Sequence, residues 1–187
     1  MERIGLFGGM FDPVHLGHLH AAEMAAERAA LDRVIFIPAS VPPHKKNGCF
    51  VSGAHRLEML KLAINDEPRF SVSDYEITKE GTSYSYLTAE HFAGLYPRAK
   101  LYFLIGDEAY NLLHTWKMPE RIKRVASFLV VTREGTPPPQ DALYIKIPKV
   151  QISSTEVRGA LMQGASVQNL LPEEVREYIH DNRLYTE

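Results

Sequence analysis

The stretch Gly8-Gly9-Met10-Phe11-Asp12-Pro13-Val14-His15-Leu16-Gly17-His18 constrains this chain more than any other part of it. Immediately before it, Arg3-Ile4-Gly5-Leu6-Phe7 is a short apolar run that reads as a buried first β-strand. Immediately after it, Ala21, Ala22, Met24, Ala25, Ala26, Glu27 and Arg28 are strong helix formers. The stretch is therefore a strand-to-helix connection of a βαβ unit, the place where α/β proteins bind nucleotides. Gly8 and Gly9 carry no Cβ and let a backbone approach a phosphate closely. Pro13 stiffens the turn, and Asp12 is assigned to the turn itself. Gly17 and His18 fall at the helix start, where unpaired N–H groups and the positive dipole end favour an anion.

The two histidines give the stretch its chemical direction. His15 and His18 can face one anion, each offering ring N–H donors and, near pH 7, a positive charge. On their own they admit blander readings. A histidine at a helix start can simply cap it, and a metal reading would take His20 as third ligand, but no nearby Cys, Asp or Glu completes a plausible set.

The whole string is far more specific than the pair. It closely resembles the HxGH signature of the nucleotidyltransferase superfamily, and Gly-Gly-x-Phe-Asp-Pro-x-His-x-Gly-His is similar to its nicotinate mononucleotide adenylyltransferase branch. It is neither a dehydrogenase fingerprint, since no G-x-G-x-x-G is present, nor a P-loop, since no Gly-Lys-Ser/Thr follows. In this branch Gly8, Gly9, Phe11 and Gly17 belong to the ATP site, and His15 and His18 to catalysis.

A chain of 187 residues suits one domain with a sizeable core, and 45% hydrophobic with 24% charged residues is ordinary for a globular protein. The net charge of -2 argues against a general nucleic-acid binder, so any affinity for phosphate has to be local. A single cysteine, Cys49, excludes an internal disulfide and fits a reducing compartment. No apolar run approaches the roughly 20 residues of a membrane span, and the first strand leaves no room for a signal peptide. A cytoplasmic protein is the expectation.

Along the chain, Arg33 to Ile37 reads as a second strand, parallel to the first. The loop after it holds Pro42-Pro43-His44-Lys45-Lys46, a solvated basic loop by itself. It resembles the family's Pro-Pro-His-Lys segment, and that resemblance gives Lys45 a role on the triphosphate. Ser52 is a plausible cap for a helix over 54–64 with Leu57, Leu60, Ala63 and Ile64 on one face. His55 and Arg56 are expected to face solvent or brace the loop. Phe70 to Ser73 reads as a strand, with Tyr75 to Thr78 as an extended continuation.

Thr82 or Ser83 is placed to cap the helix that runs to about Leu95. The family has a similar Ser-Tyr-Thr segment lining the mononucleotide pocket, which assigns Thr82, Ser83 and Tyr84 to substrate binding. Leu87 stands where the family commonly has Asp. Leu101 to Ile105 is another buried strand, with Gly106-Asp107-Glu108 at its end and a helix over 108–113. Asp107 suits a helix cap as well as a ribose hydroxyl. The resemblance places Gly106 and one of the two carboxylates, Asp107 or Glu108, in the ATP site, and Trp116 on the pyridine ring.

Further strands are read at 127–131 and 143–147, with a short helix from Pro119 between Trp116 and the first of them. After the last strand, Ser153 and Glu156 form a capping box for a helix that carries Arg158 one turn in. Ile152-Ser153-Ser154-Thr155-x-x-Arg158 resembles the second superfamily signature, whose hydroxyls and arginine hold the ATP phosphates. A final amphipathic helix, 172–182, reads as packing.

These elements predict an α/β fold: a doubly wound parallel sheet of five or six strands in a single domain over 1–187, with a small helical C-terminal part from about 153; the resemblance implies that this is a nucleotidyltransferase domain. The resemblance implies transfer of an adenylyl group from ATP to nicotinate mononucleotide, with Mg²⁺ carried on the ATP phosphates. A different acceptor, such as nicotinamide mononucleotide, or a non-catalytic nucleotide-binding regulator, is the alternative. A homo-oligomer is compatible with the sequence but not required by it.

Overall fold

A computed structural model describes residues 1–40, 51–79, 82–133, 142–148 and 152–186. The chain alternates strand and helix: β1 (Arg3–Gly9), α1 (Leu16–Arg28), β2 (Arg33–Pro38), α2 (Gly53–Ala63) and β3 (Phe70–Val72) form its first half. The short α3 (Tyr75–Thr78), α4 (Ser85–Leu95), β4 (Lys100–Gly106), α5 (Asp107–Asn111), α6 (Pro119–Val125), β5 (Ser127–Arg133), β6 (Leu143–Ile147), α7 (Ser154–Met162) and α8 (Glu173–Asp181) complete it. All five strand pairings are parallel, in the order β3-β2-β1-β4-β5-β6. The order reverses between β1 and β4, and a crevice opens beyond the C-terminal ends of those two strands.

The sheet has a core on each face. Along β4, Tyr102 and Leu104 join Phe36, Leu129, Val157, Val175 and Ile179 on one side. Leu101, Phe103 and Ile105 join Ile4, Leu6, Phe92, Ile122 and Phe128 on the other. That two-residue alternation is the pleat of a strand covered on both faces. Among the described residues no helix is long and apolar enough to cross a membrane.

Two local expectations are corrected. Tyr75–Thr78 is helical, not extended. The Ser73 hydroxyl accepts the N–H of Tyr75 and starts a turn, and what this turn buries is Glu76, whose carboxylate accepts from Thr88 Oγ1 at 2.6 Å. In α2, capped by Ser52 as expected, the inward face is Arg56, Met59 and Leu60. Sequence periodicity passes over an arginine as a core residue. Yet Arg56 is 1% exposed, with Nη1 donating to the Met10 carbonyl at 2.8 Å.

Candidate active site

A cleft of about 340 Å³ lies at the switch point. Its lining includes Phe7, His15, Gly17 and His18 from the first motif, Ile152, Ser153 and Ser154 from the second, and Gly106 and Asp107 from the end of β4. The two phosphate motifs, separated by most of the sequence, meet in its lining.

His15 is the N-cap of α1 in extended conformation, so the helix begins at Leu16, a residue ahead of Gly17. The His15 N–H donates to Nδ1 of His18 at 3.3 Å. The two imidazoles stack with centroids 3.6 Å apart and planes 22° from parallel. Gly17 suits this arrangement, because a Cβ there would sit 3.0 Å from His15 Nδ1 and the imidazole would have to give way. Phe11 is 1% exposed. It packs edge-on against His18 at 5.0 Å and against Phe7 at 5.4 Å, so its ring supports the histidine and does not line the cleft. Gly9 fits the same aromatic packing, since a Cβ on it would meet the Phe11 ring at 3.0 Å. Gly8 and Gly9 end β1 and are not among the residues that line the cleft.

The expectation of a cationic pair is corrected. Burial first, and the nearby His15 second, push the His18 imidazole well below the usual histidine range. With Nδ1 accepting the backbone N–H of His15, the proton of the neutral ring sits on Nε2. His18 is thus a neutral donor at the cleft wall.

In the second motif, α7 opens with the expected capping box. The Ser153 hydroxyl accepts from the Glu156 N–H at 3.2 Å, and Glu156 accepts the Ser153 N–H at 2.9 Å. Ser154 Oγ donates to the Pro13 carbonyl at 3.0 Å. Arg158 Nη1 donates to the Asp12 carbonyl at 2.7 Å, and its Nη2 to Thr155 Oγ1 at 3.3 Å. The hydroxyls and arginine expected on the phosphates are therefore also fasteners between the two motifs. Arg158 is not in the cleft wall itself.

At the end of β4, Gly106 is the N-cap of α5, which starts at Asp107, a residue earlier than expected. Asp107 lines the cleft and accepts the Glu108 N–H at 2.8 Å, whereas Glu108 is exposed and outside the cleft wall. The two carboxylates are thereby distinguished by position. Trp116 follows a 3₁₀ turn, Leu113–Thr115, and sets its ring edge-on to Phe103 at 6.1 Å. Its neighbour Lys117 holds Nζ 4.4 Å from the centroid of the Tyr84 ring. Tyr84, not Thr82 or Ser83, is the N-cap of α4. Ser83 Oγ instead accepts the Ser40 N–H at 3.0 Å, tying the end of β2 to the α4 start. Lys45 lies outside the described residues, as do Pro42, Pro43, His44, Lys46 and Cys49.

The geometry is thus two helix starts and a histidine pair around a crevice of about 340 Å³. The cytidylyltransferase-like family model matches residues 6–160. The nicotinate-nucleotide adenylyltransferase of Bacillus subtilis is 36% identical over 187 residues, covering 99% of both chains. A probable nicotinate-nucleotide adenylyltransferase of Thermus thermophilus is 43% identical over 186 residues, covering 98% of this chain and 99% of its own.

The chain belongs to the nicotinate-nucleotide adenylyltransferase family.

Solved structures agree in fold. Plasmodium falciparum nicotinic acid mononucleotide adenylyltransferase complexed with NaAD superposes with a TM-score of 0.79 at 19% identity, covering 99% of this chain and 98% of that one. Several residues with structural work at this site carry little sequence signal. Arg56 sits where a surface charge is usual, Ser40 bonds through its backbone, and Tyr185 reaches the first motif from the far end of the chain.

Proposed function

We propose that this adenylyltransferase joins the adenylyl group of ATP to the phosphate of nicotinate mononucleotide, giving deamido-NAD and pyrophosphate. The observation that carries the reading is the cleft lined together by His15, Gly17 and His18 and by the start of α7. An acceptor phosphate oxygen attacks the α-phosphorus; the bond from that phosphorus to the oxygen bridging to the β-phosphate breaks, and pyrophosphate leaves with the electron pair. A phosphate monoester is already ionised at neutral pH, so the step needs no general base.

What it needs is alignment of two mutually repelling anions and stabilisation of charge on the transferred group. The neutral Nε2–H of His18 supplies a directed hydrogen bond. The N-termini of α1 and α7 supply N–H groups and positive dipole ends. Lys45 and Arg158 are assigned as the cations over the triphosphate, with Gly106 and Asp107 against the nucleoside. Trp116 stacks on the pyridine ring, and Thr82, Ser83 and Tyr84 border its substituent. Among the described residues no three His, Cys, Asp or Glu side chains converge to hold a metal ion. That donor set fits Mg²⁺ that arrives on the ATP phosphates, which with water satisfy its preference for oxygen ligands.

The test is pyrophosphate release with ATP and a panel of acceptor mononucleotides. Rapid release with nicotinate mononucleotide alone is expected. Faster release with a different acceptor would move the assignment within the superfamily, and none with any acceptor would make the chain a binder.

A further inference from the structure

The loop from Asp12 to Leu16, which delivers both histidines, is fastened by the last part of the chain. Ser154 Oγ holds the Pro13 carbonyl and Arg158 Nη1 holds the Asp12 carbonyl. The Leu16 N–H donates to the Leu170 carbonyl at 2.9 Å. These ties all grip backbone. A fourth grips a side chain: Tyr185 Oη donates to Asp12 Oδ1 at 2.7 Å.

Both ends of that bond are buried, Tyr185 at 6% and Asp12 at 3% exposure. The segment bends sharply to make it. Arg183 and Tyr185 both adopt left-handed backbone, with φ of 50° and 59°, a region that non-glycine residues enter at a cost. The Leu184 N–H returns to the Ile179 carbonyl at 3.0 Å and holds the bend. Packing a ring into the core requires no hydroxyl, and a buried hydroxyl is costly unless bonded. What the hydroxyl adds is one fixed direction for the Asp12 carboxylate, three residues before His15.

We propose that Tyr185 is a positioning residue for adenylyl transfer, its hydroxyl acting through Asp12 to hold the loop that presents His15 and His18. The proposal rests on the reaction assigned above. Phosphates aligned by a short stacked pair tolerate little displacement, because misplacement of about 1 Å can cost on the order of a hundredfold in rate. Loss of the bond loosens the loop without removing any group that touches substrate, so kcat should move and KM should not.

The test uses the full chain. Tyr185→Phe keeps the ring, Asp12→Ala removes its partner, and the double variant closes the cycle. Leu184→Ala, which trims a residue packed against the same core, is the control for destabilisation alone. We expect Tyr185→Phe to lower kcat about tenfold with KM for both nucleotides within about twofold. In the Asp12→Ala background the same change should cost less than about twofold. The imidazole NMR signals of His15 and His18 should shift in ligand-free Tyr185→Phe and stay in place in Leu184→Ala.

An unchanged kcat and unmoved histidine signals in folded Tyr185→Phe would overturn the proposal. So would equal losses in both backgrounds, or a matching loss of kcat in Leu184→Ala. If Tyr185→Phe fails to fold, the comparison passes to Asp12→Asn, which keeps an acceptor oxygen. It should retain more kcat than Asp12→Ala, and equal loss in the two would overturn the idea. A wild type that releases no pyrophosphate would sink the reaction instead, while the histidine signals would still decide the positioning.

Discussion

His15 and His18 lie ring on ring, 3.6 Å between centroids, with the backbone N–H of the first directed at Nδ1 of the second. Two imidazolium ions do not stack at that distance without opposition, and a protonated Nδ1 cannot accept a hydrogen bond. The pair is therefore built around at least one neutral ring, and the backbone decides that it is His18. A neutral donor costs less to bury than a cation and still points a proton at developing charge.

His18→Ala is expected to lower kcat by about 10²–10³-fold, the usual scale for removing one donor from a transition-state site. Acceptor affinity should change little. His18→Gln, which places a neutral N–H near the Nε2 position, should recover part of the loss. Comparable turnover in wild type and His18→Ala by steady-state kinetics would take His18 out of the mechanism.

The lowered proton affinity of His18 has a sign that can be checked. The unfolded chain takes up a proton here at about pH 6.5, and the folded one refuses it until the pH is well lower. This group's contribution to stability is present above that pH and is lost as pH falls through the folded value. NMR titration of ligand-free protein should therefore find the His18 ring neutral through pH 6.5. A triphosphate in the cleft should raise its midpoint, since an anion favours the protonated form.

Arg158→Ala is expected to weaken ATP about tenfold while the acceptor weakens less, because the charge-assisted contact to phosphate proposed for it would be lost. The Asp12 carbonyl loses its donor at the same time, so kcat should fall as well. Arg158→Lys should rescue poorly, for one ammonium does not serve the Asp12 carbonyl, Thr155 and a phosphate together. Calorimetry with each nucleotide separates these effects, and equal weakening of both ligands would place Arg158 elsewhere.

The strands and their parallel order were legible because a sheet covered on both faces leaves continuous apolar runs such as Leu101 to Ile105. The cleft was legible because its two walls are each a strand end followed by a helix start, local patterns that survive in sequence. What stayed hidden were single polar groups working across long separations. Arg56 looks like an exposed helix charge until its guanidinium is seen on the Met10 carbonyl. Tyr185 gives no periodic signal, yet its partner lies 173 positions away. The helix at Tyr75 alternates like a strand in sequence; the turn that forms instead starts at the Ser73 hydroxyl and buries Glu76.

Glu76 supplies a pH test on the acceptor side. Burial pushes its carboxyl above the usual range, against hydrogen bonds from Thr88 and Ser83 and the charge of Lys79. A raised carboxyl contributes stability that is present at low pH and lost as pH rises through the folded value. Glu76→Gln keeps the oxygen that accepts from Thr88 and removes the buried charge. Its thermal midpoint should gain on wild type as pH goes from about 4 to about 8, the interval above the ordinary carboxylate range. A gap independent of pH would mean that Glu76 is ionised without cost.

The last expectation concerns the choice of acceptor. Nicotinate mononucleotide should be preferred over its amide by at least about tenfold in kcat/KM. A ring-stacking surface such as Trp116 discriminates poorly between the two, since both rings present the same face. Donors discriminate well: a carboxylate accepts at both oxygens, whereas an amide turns its own NH₂ against one donor. An unpaired buried donor costs about 1–3 kcal/mol, and charge assistance widens the gap. The start of α4 offers backbone N–H groups beside Tyr84 and Leu87, and Lys117 brings its ammonium over the Tyr84 ring, next to Trp116. Leu87 adds no negative charge at that corner, which favours an anionic substituent. Trp116→Ala should raise KM for both acceptors alike and leave their ratio standing, because it removes the surface that does not discriminate. Initial rates with both acceptors decide the matter, and a wild-type ratio near one would remove the carboxylate from the recognition.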